Sequence, residues 1–562
     1  MKKIILIALS VVALAFTSCA DFLNTSTQGN PTVDSYFTND QQAIQAVLSL
    51  YSRLPQEQVY GRNIFWEQGS ANDIVYGRST DYDATLPLLN ASGDENRLTS
   101  IYGYVHQWVA SAHWVIQELE AKKAAQGLSE IETRSLGEAY FLRGLWHFIG
   151  AYRYGKGDLG FPYKPWDEYE NGYNNEMPPQ LKSVTENYAY IVSDMEKAEA
   201  LLPWAGSITS TYAPEDRGRA HKASACAYIA KVNAYWGTWD DSRWDEVIKA
   251  VNRLETVYGR DLNASFSQLW TCDSDNWWNK ECLYSFPSTG GKVGGPVEFG
   301  GIVVENKGWG KFNGWGQMKP TLEIYNEMAE DNNQGVDENG KEIKNERLAK
   351  SILEYGDEFT YFGEKKLFYN AEDYISGFQI NKYMEALEPA DPEGMGTLVP
   401  NADWPCTKVN FHILRFADVL LLRAEAYLNK GDEPAARADI NRVRTRCALT
   451  PITTATWDAL YHERRCELAF EMADHLFDLK RWAHSSYGVA DIATIAKAEL
   501  ERQPMVRYYS EPERIDPLST NYEERVYGNC KGTKSWTDNK IAFKYPSAEI
   551  IKAGGLYKQI EY

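Results

Sequence analysis

The sequence has 562 residues, of which 44% are hydrophobic and 13% aromatic, so the chain is long and apolar enough to bury a large core. Its 78 acidic residues outnumber the 58 lysines and arginines, which gives a formal net charge of −20. This balance argues against a general nucleic-acid-binding protein, because phosphate contacts require clustered basic side chains.

The N-terminus has the pattern of a secretory signal peptide. Two lysines at positions 2 and 3 precede an apolar run over residues 4–16, and small residues then lead to Cys19. The run is shorter than the ~20 residues of a membrane-spanning helix. We therefore predict that residues 1–18 are a signal peptide and that the mature protein begins at Cys19.

Cys19 itself predicts a membrane anchor. A cysteine directly after the apolar run resembles a bacterial lipobox, in which the thiol receives diacylglycerol and becomes the new N-terminus. Two or three acyl chains give stable membrane binding where a single chain does not. The alternative is an ordinary cleaved signal peptide followed by a chance cysteine.

Helical patterns dominate the rest of the chain. Capping patterns at residues 38–41, 129–132 and 183–186 predict helix N-termini, because their polar side chains can bond the exposed N–H groups of a first turn. Apolar residues recur at spacings of three and four over 101–121, which places them on one helical face. We predict helices over residues 38–53, 101–121, 129–154, 183–202, 218–239, 242–257, 413–430 and 432–446.

Several of these helices are predicted to form antiparallel hairpins. Gly431 can adopt a left-handed conformation and Asp432 can cap the following helix, so residues 413–446 predict two helices with a very short connection. Residues 129–202 and 218–257 show similar pairs without a regular period. The predicted fold is mainly α, with tetratricopeptide-like helical hairpins over about 38–257 and 413–484 in a single domain of residues 19–562.

Two long insertions interrupt the helical scaffold, at about 54–100 and 258–412. Both are rich in loops, and the second is rich in glycine, asparagine and aromatic residues, with a few short strands expected. Binding residues concentrate on loops that a rigid scaffold positions. We therefore predict that these insertions form one large ligand-binding face.

The insertions carry residues suited to sugar recognition. Sugars present apolar C–H faces that stack on aromatic rings, and their hydroxyl groups bond polar side chains. For each tryptophan the alternative is a buried or loop-anchoring role. The candidate ligand-binding residues are Trp66, Asn72, Asp73, Arg78, Tyr82, Trp277, Trp278, Trp309 and Trp315.

The loop around Trp277 and Trp278 allows a finer prediction. Neighbouring residues of an extended segment point to opposite sides, so one ring would stack on ligand while the other anchors the loop. Cys272 and Cys282 flank this loop, and the sequence leaves open whether they form a disulfide that stiffens it.

The sequence contains two motifs that are typical of cofactor or metal binding, one in the wrong structural context and the other incomplete. Residues 155–160 spell GxGxxG, but a helix precedes them, whereas a dinucleotide site requires a strand there, so a turn is predicted. Residues 462–466 read HERRC, in which Cys466 replaces the second histidine of a zinc-binding HExxH motif. We predict no catalytic residues, no metal site and no cofactor.

Ordered motifs in the second half of the chain resemble those of a known family. They are LRFADVLLLRAEA at 414–426, ADINRVR at 438–444, ERRCELAFE at 463–471 and FDLKRW at 477–482, and the sequences at 19–23 and 545–550 also fit. Together they resemble the SusD/RagB family of nutrient-binding outer-membrane lipoproteins of Bacteroidota.

The resemblance implies a helical fold with four tetratricopeptide-like hairpins and a loop-rich ligand face. It implies a non-catalytic lipoprotein at the cell surface that delivers oligosaccharides to a SusC-like TonB-dependent transporter. A peptide-binding relative and, less favoured, an exported helical glycosidase are the alternatives. The motif residues Arg464, Glu467, Asp478 and Arg481 are interpreted as structural ion-pair partners.

Overall fold

The computed structural model describes most of the chain. The described residues are 36–67, 71–76, 89–168, 176–271, 273–287, 318–338, 340–361, 364–368, 376–384, 409–472, 475–509, 522–528 and 532–562. The predicted signal peptide and Cys19 lie outside them.

Helices form the scaffold. In the first half of the chain they are α1 (Asp40–Tyr51), α2 (Asn63–Glu67), α3 (Asn96–Gln126), α4 (Glu130–Tyr154), α5 (Val184–Leu201), α6 (Ile208–Thr211), α7 (Lys222–Trp236) and α8 (Arg243–Thr256). In the second half they are α9 (Leu322–Ala329), α10 (Glu346–Ser351), α11 (Phe416–Asn429), α12 (Glu433–Arg446), α13 (Trp457–Leu468), α14 (His475–Ala483), α15 (Ala490–Glu501) and α16 (Ser547–Lys552).

Helices that follow one another pack as antiparallel pairs. Helix α4 packs on both α3 and α5, α7 packs on α8, α11 on α12, and α14 on α15. Helix α11 also contacts α8, which joins the N-terminal and C-terminal halves of the scaffold. The mainly α fold with tetratricopeptide-like hairpins is therefore confirmed.

Capping groups explain most of the helix ends. Ser129 and Glu132 form the predicted capping box, in which each side chain accepts the other residue's backbone N–H at 3.1 Å. Gly431 has a φ of 73°, and Asp432 accepts the N–H of Ala435. The helix predicted over residues 242–257 begins at Arg243, and Ser242 does not cap it, because its hydroxyl donates to Asp240 instead of accepting from the helix.

Ten short strands pair two by two among the described residues. They are β1 (Ile74–Tyr76), β2 (Cys282–Phe286), β3 (Met318–Pro320), β4 (Ile352–Glu354), β5 (Glu358–Tyr361), β6 (Glu364–Leu367), β7 (Phe378–Ile380), β8 (Phe411–Arg415), β9 (Met505–Tyr509) and β10 (Tyr522–Val526). The antiparallel pairs are β1–β3, β2–β8, β4–β7, β5–β6 and β9–β10.

One strand replaces the start of a predicted helix. Residues 413–415 belong to β8, and α11 begins only at Phe416, whose N–H donates to Glu281 O at 2.8 Å. All five residues of β8 are buried. A short run that is buried on every side shows no periodicity that distinguishes strand from helix.

The core takes up much of the aromatic content. Trp146, Trp244, Trp270 and Trp482 are all less than 2% exposed. Each such ring removes a large apolar area from water, which is the main favourable term in folding. The high tryptophan count therefore serves the scaffold as well as any ligand face.

The motif residues of α13 and α14 are structural, as predicted. Arg464 Nη2 lies 2.6 Å from Asp478 Oδ2 and 3.0 Å from Asp418 Oδ1. Arg481 joins Asp478 at 2.7 Å and Glu425 at 2.9 Å. All of these groups are buried, so their pairing satisfies charges that would otherwise be very costly to bury.

Glu467 belongs to a second buried cluster. Arg415 Nη1 donates to both Glu467 Oε1 and Glu281 Oε1 at 2.6 Å. Arg446 also bonds both carboxylates. The cluster ties the base of the second insertion to α12 and α13.

None of the helices in the described part of the chain combines the length and the hydropathy of a membrane-spanning segment.

Candidate functional site

The strand pair β1–β3 brings the two predicted ligand-binding insertions together. Tyr76, the last residue of β1, pairs with Met318, the first residue of β3. Residues 77–88 follow Tyr76 in the chain, and residues 301–317 precede Met318. Both insertions are therefore joined to the same end of one small sheet.

Four of the predicted ligand-binding residues belong to those two segments. Arg78 and Tyr82 lie in 77–88, and Trp309 and Trp315 lie in 301–317. All four are outside the described residues. Their predicted roles stay predictions.

The strand pair β2–β8 joins further loop segments. Phe286, the last residue of β2, pairs with Phe411, the first residue of β8. Residues 288–317 follow β2 shortly afterwards, and residues 385–408 end shortly before β8. In the chain, residues 288–317 therefore lie between β2 and β3.

Asn72 anchors the start of β1. Its side chain is fully buried, and Nδ2 donates to Glu499 O at 2.6 Å and to Arg502 O at 3.0 Å, while Oδ1 accepts from Lys534. Its φ of 63° lies in the left-handed region that asparagine tolerates better than most residues. These contacts fix the backbone from which β1 begins.

Asp73 anchors the same strand through charge. Its carboxylate accepts from Arg465 Nε at 2.9 Å, and the Arg465 guanidinium also lies 3.3 Å from Glu327 and 3.2 Å from Glu499. Asp73 is 5% exposed and Arg465 is 2% exposed. Burial strengthens such a pair and makes the loss of either partner costly.

Trp66 also lies in the interior. It is 2% exposed, and the guanidinium carbon of Arg97 lies 3.8 Å from the centroid of its ring. Neighbouring Phe65 is fully buried. Trp66 thus packs on the N-terminal end of α3.

Three candidates are therefore corrected to structural roles. Trp66, Asn72 and Asp73 are buried and engaged by other parts of the chain, so a dissolved ligand does not reach them. The sequence pattern could not show this, because Arg465 and Lys534, which hold Asp73 and Asn72, lie hundreds of residues away.

Trp277 and Trp278 lie in a helical turn, not in an extended segment. Residues Ser274–Asn276 form a 3-10 helix, and Trp277 continues it with φ −69° and ψ −34°. Two adjacent residues of such a turn still point in different directions. The prediction of an extended segment was wrong, and the division of roles between the two rings stays a prediction.

The two rings have different surroundings. Trp277 Nε1 donates to Thr271 O at 3.0 Å, and Asn410 Nδ2 donates to Trp277 O at 3.4 Å. Trp278 is half-buried and makes no hydrogen bond or ring contact with any residue that the structure describes. Trp277 therefore has the contacts of an anchor, and Trp278 leaves its indole unengaged.

Arg260 holds this loop, and Cys282 is not bridged to Cys272. Cys282 is a free, buried thiol with Sγ 3.1 Å from Ser285 Oγ, and burial raises its pKa to about 11. Arg260 Nε donates to Lys280 O at 2.8 Å and a second nitrogen donates to Asn279 O. A buried arginine thus does what the disulfide would have done.

The hairpin β9–β10 packs on β1 but was missed in the sequence. Val75 of β1 packs with Val506 and Tyr527 in a small apolar cluster of their own. On the hairpin, the Arg525 guanidinium carbon lies 3.6 Å from the ring of half-buried Tyr508. The run Met505–Tyr509, with aromatic and branched residues after Pro504, was the available strand pattern.

His462 is surrounded by charges but does not form a convincing metal site. Its two ring nitrogens lie 2.7 Å from Glu327 and 2.9 Å from Asp331. Asp331 already pairs with Arg347 and Arg444 at 2.9 and 2.6 Å. These guanidinium groups neutralise the carboxylate that a cation would need.

Two family models match the chain. The one described as the SusD family matches residues 287–562, and the one described as starch-binding and associating with the outer membrane matches residues 21–233. A SusD-like protein P25 from Formosa agariphila is 22% identical over 499 residues, which cover 83% of this chain and 87% of that protein.

Solved structures share the fold. A SusD-like protein from Bacteroides fragilis superposes with a TM-score of 0.70 at 20% identity, covering 94% of this chain and 98% of that one. A structure solved with xylogluco-oligosaccharide has a TM-score of 0.70 at 17% identity, covering 92% of this chain and 99% of its own.

Proposed function

Because the chain belongs to the SusD/RagB family, we propose that it captures oligosaccharides at the cell surface and passes them to a SusC-like TonB-dependent transporter. The protein would bind its ligand without changing it chemically. The family model for residues 21–233 is described as associating with the outer membrane, and a lipid anchor at Cys19 would supply that association here.

One observation carries the ligand part of the proposal. The pairing of Tyr76 with Met318 joins both aromatic and polar insertions to one end of the β1–β3 sheet. Arg78 is two residues from Tyr76, and Trp315 is three residues from Met318. A chain spans no more than about 3.6 Å per residue, so this connectivity supports a ligand face at that end of the sheet.

The anchors of the sheet support the same conclusion. Asn72 and Asp73 are held by groups from the C-terminal part of the chain, so β1 is a fixed support for the segment that follows it. A site whose support is already ordered loses less entropy when ligand binds. Residues that were first predicted to touch ligand thus position the residues that follow them.

Trp278 supplies the described part of the binding surface. Its indole is half-buried and unengaged among the described residues, and its neighbour Trp277 is fixed to Thr271. A rigid aromatic ring of this kind stacks on the apolar face of a sugar at low entropic cost. We propose that Trp278 stacks on ligand together with Tyr82, Trp309 and Trp315, while Arg78 bonds the hydroxyl groups.

The test is calorimetric titration of the purified protein with xylogluco-oligosaccharide, starch oligosaccharides and unrelated peptides of similar mass. Saturable binding of one oligosaccharide class, with the same sugar recovered unchanged afterwards, is the expected result. Binding of peptides without binding of any oligosaccharide would contradict the proposal and favour the peptide-binding alternative. Recovery of shorter sugars would favour the glycosidase.

The transporter part has its own test. Extraction of outer membranes in mild detergent and purification through a tag on this protein should recover a β-barrel transporter in a stable complex. Recovery of the protein alone would contradict the proposed partnership with a transporter. The proposed binding of oligosaccharides would still be tested separately by the titrations.

A further inference from the structure

A cleft of about 310 Å³ lies away from the residues discussed so far. Helix α3, the backbone around Pro162 and Pro178, and the C-terminal helix α16 form its walls. Its lining includes no residue of β1 or β3, and neither Trp277 nor Trp278. Its volume is at the lower end of the range for small-molecule sites in proteins.

The walls of the cleft are fixed by contacts within the protein. Tyr557 Oη donates to Pro178 O at 2.8 Å, which joins the C-terminal segment to the opposite wall. Tyr163 stacks on His147 with ring centroids 4.0 Å apart. Both tyrosines are buried, so the shape of the cleft exists before any ligand arrives.

Part of the lining of the cleft is apolar. It consists of Val109, Ala110, Pro162, Met177 and Pro178, which come from α3 and from the segments around Pro162 and Pro178. Such side chains present C–H groups and offer no hydrogen bonds of their own. They suit the apolar face of a ligand that is otherwise polar.

The charged groups of the lining cancel. Lys164 and Lys552 carry the positive charges, and Glu176 and Glu549 carry the negative charges. Glu549 and Lys552 lie 3.7 Å apart on α16. The lining thus offers ammonium donors and carboxylate acceptors without a net charge that would select an anion or a cation.

The two histidines of the lining do not alter that balance. Burial, together with Lys552, lowers the pKa of His106 to about 3, and burial and Arg143 lower that of His113. Both imidazoles are therefore neutral at physiological pH. His106 stacks on Phe161 with centroids 4.6 Å apart, and its buried Nε2 has no hydrogen-bond partner among the described residues.

We propose that this cleft is a second saccharide-binding site, which takes a neutral mono- or disaccharide unit. Such a ligand combines an apolar face with hydroxyl groups that both donate and accept, and the lining of the cleft combines apolar side chains with both donors and acceptors. The choice of a saccharide over other neutral hydroxylated molecules rests on the proposed function. The existence of a binding site is inferred from the shape and lining of the cleft alone.

The consequence is attachment at two points. A long glycan held at the loop face could place a second stretch in this cleft, and two linked contacts raise the apparent affinity well above that of either alone. A single short sugar would instead bind the cleft weakly and independently of Trp278.

The experiment uses ligand-observed saturation-transfer NMR with three neutral disaccharides: cellobiose, maltose and lactose. Ala110→Trp fills the cleft from a half-buried position on α3, and Ala124→Trp places the same ring at an exposed position on the same helix. Melting temperatures verify that both variants fold. Trp278→Ala reports separately on the loop face.

At least one disaccharide should show saturation transfer with the wild-type protein, Ala124→Trp and Trp278→Ala, and a several-fold weaker signal with Ala110→Trp. If none of the three disaccharides shows saturation transfer with the wild-type protein, the proposal of a second site is overturned. It is also overturned if the signal with Ala110→Trp equals that with the wild-type protein. Loss of the signal in Trp278→Ala alone would also overturn it, while supporting the loop face. Ala110→Trp thus tests the cleft, and Trp278→Ala tests the proposed loop face, independently of each other.

Discussion

Asp73 accepts a hydrogen bond from Arg465 at 2.9 Å, although 392 residues of sequence separate the two. Asp73 precedes β1, which leads into one ligand-face segment, and Arg465 lies in α13 within a family motif. The motif helix therefore holds the support of the proposed binding face. A helix in this position keeps β1 in place whatever the sequence of the loops that follow it.

Arg465→Met should destabilise the protein strongly. The substitution leaves Asp73, Glu327 and Glu499 without their shared guanidinium, and breaking a buried pair costs about 3–5 kcal/mol. Urea denaturation followed by circular dichroism measures the change.

The matched control is Lys249→Met. Lys249 pairs with Glu246 on the surface of α8, where both side chains are largely exposed. Exposed pairs contribute little to stability, because water and salt screen them and both side chains lose conformational freedom when they pair. A similar decrease in the free energy of unfolding for both variants would show that the ion pairs of Arg465 contribute no more to stability than an exposed pair.

The loss of stability on replacing Asn72 should depend on which residue takes its place. Asn72→Ala loses two backbone hydrogen bonds and also strains a residue whose φ is 63°. Asn72→Gly loses the same bonds but tolerates that φ, so it should be more stable than Asn72→Ala by about 1 kcal/mol. Thermal or urea denaturation of the pair measures the difference. Equal stabilities would mean that the backbone relaxes to another conformation.

Stability should fall in acid because of Glu467. Burial alone would raise its pKa, but Arg446, Arg415 and Arg347 outweigh burial and lower the pKa to about 2. An unfolded glutamate titrates at about 4.3. The unfolded state therefore binds the proton first as the pH falls, and stability that is present above about pH 5 is lost progressively toward pH 2.

Glu467→Gln tests that assignment. The variant should be less stable at neutral pH, and its free energy of unfolding should fall less steeply between pH 5 and pH 3 than that of the wild type. Glu246→Gln, which changes a carboxylate on the surface of α8, serves as the control and should keep the wild-type slope. An unchanged slope in Glu467→Gln would assign the acid sensitivity to other carboxylates.

Cys19→Ala should release the protein from membranes. The prediction follows from the lipobox pattern, because two or three acyl chains hold a protein that one chain would not. Cells lacking the proposed partner transporter should yield the variant in the soluble fraction of a detergent-free lysate. If the variant still sediments with membranes in those cells, Cys19 is not the anchor.

Local patterns predicted much of the scaffold. The capping groups of Ser129 and Asp432 act on residues a few positions away, so sequence alone was sufficient to place those helix ends. The ion pair between Arg481 and Asp478, three residues apart on one helix, also follows from helical spacing. Where a contact is local, its physics is visible in the sequence.

Long-range contacts were not predictable in that way. Asn72 and Asp73 look like exposed loop residues until Lys534 and Arg465 are known to cover them. Likewise, residues 413–415 read as helix because their pairing with β2 depends on a strand more than a hundred residues earlier. Tertiary burial, which no short window contains, decided both cases.

The stacking role of Trp278 is tested by comparing Trp278→Ala with Trp277→Ala, using whichever oligosaccharide the wild type binds. Losing the stacking ring of Trp278 should cost about 1–3 kcal/mol of affinity, a roughly 5- to 150-fold rise in Kd, with little change in Tm. Trp277→Ala should instead lower the Tm, because it removes the hydrogen bond to Thr271.

Trp457→Ala, which removes a half-buried ring at the start of α13, is the control and should leave the Kd unchanged. Calorimetric titration gives the Kd of each variant, and calorimetric melting gives the Tm. A raised Kd is expected for Trp278→Ala alone among these three variants. An unchanged Kd for Trp278→Ala would contradict that expectation.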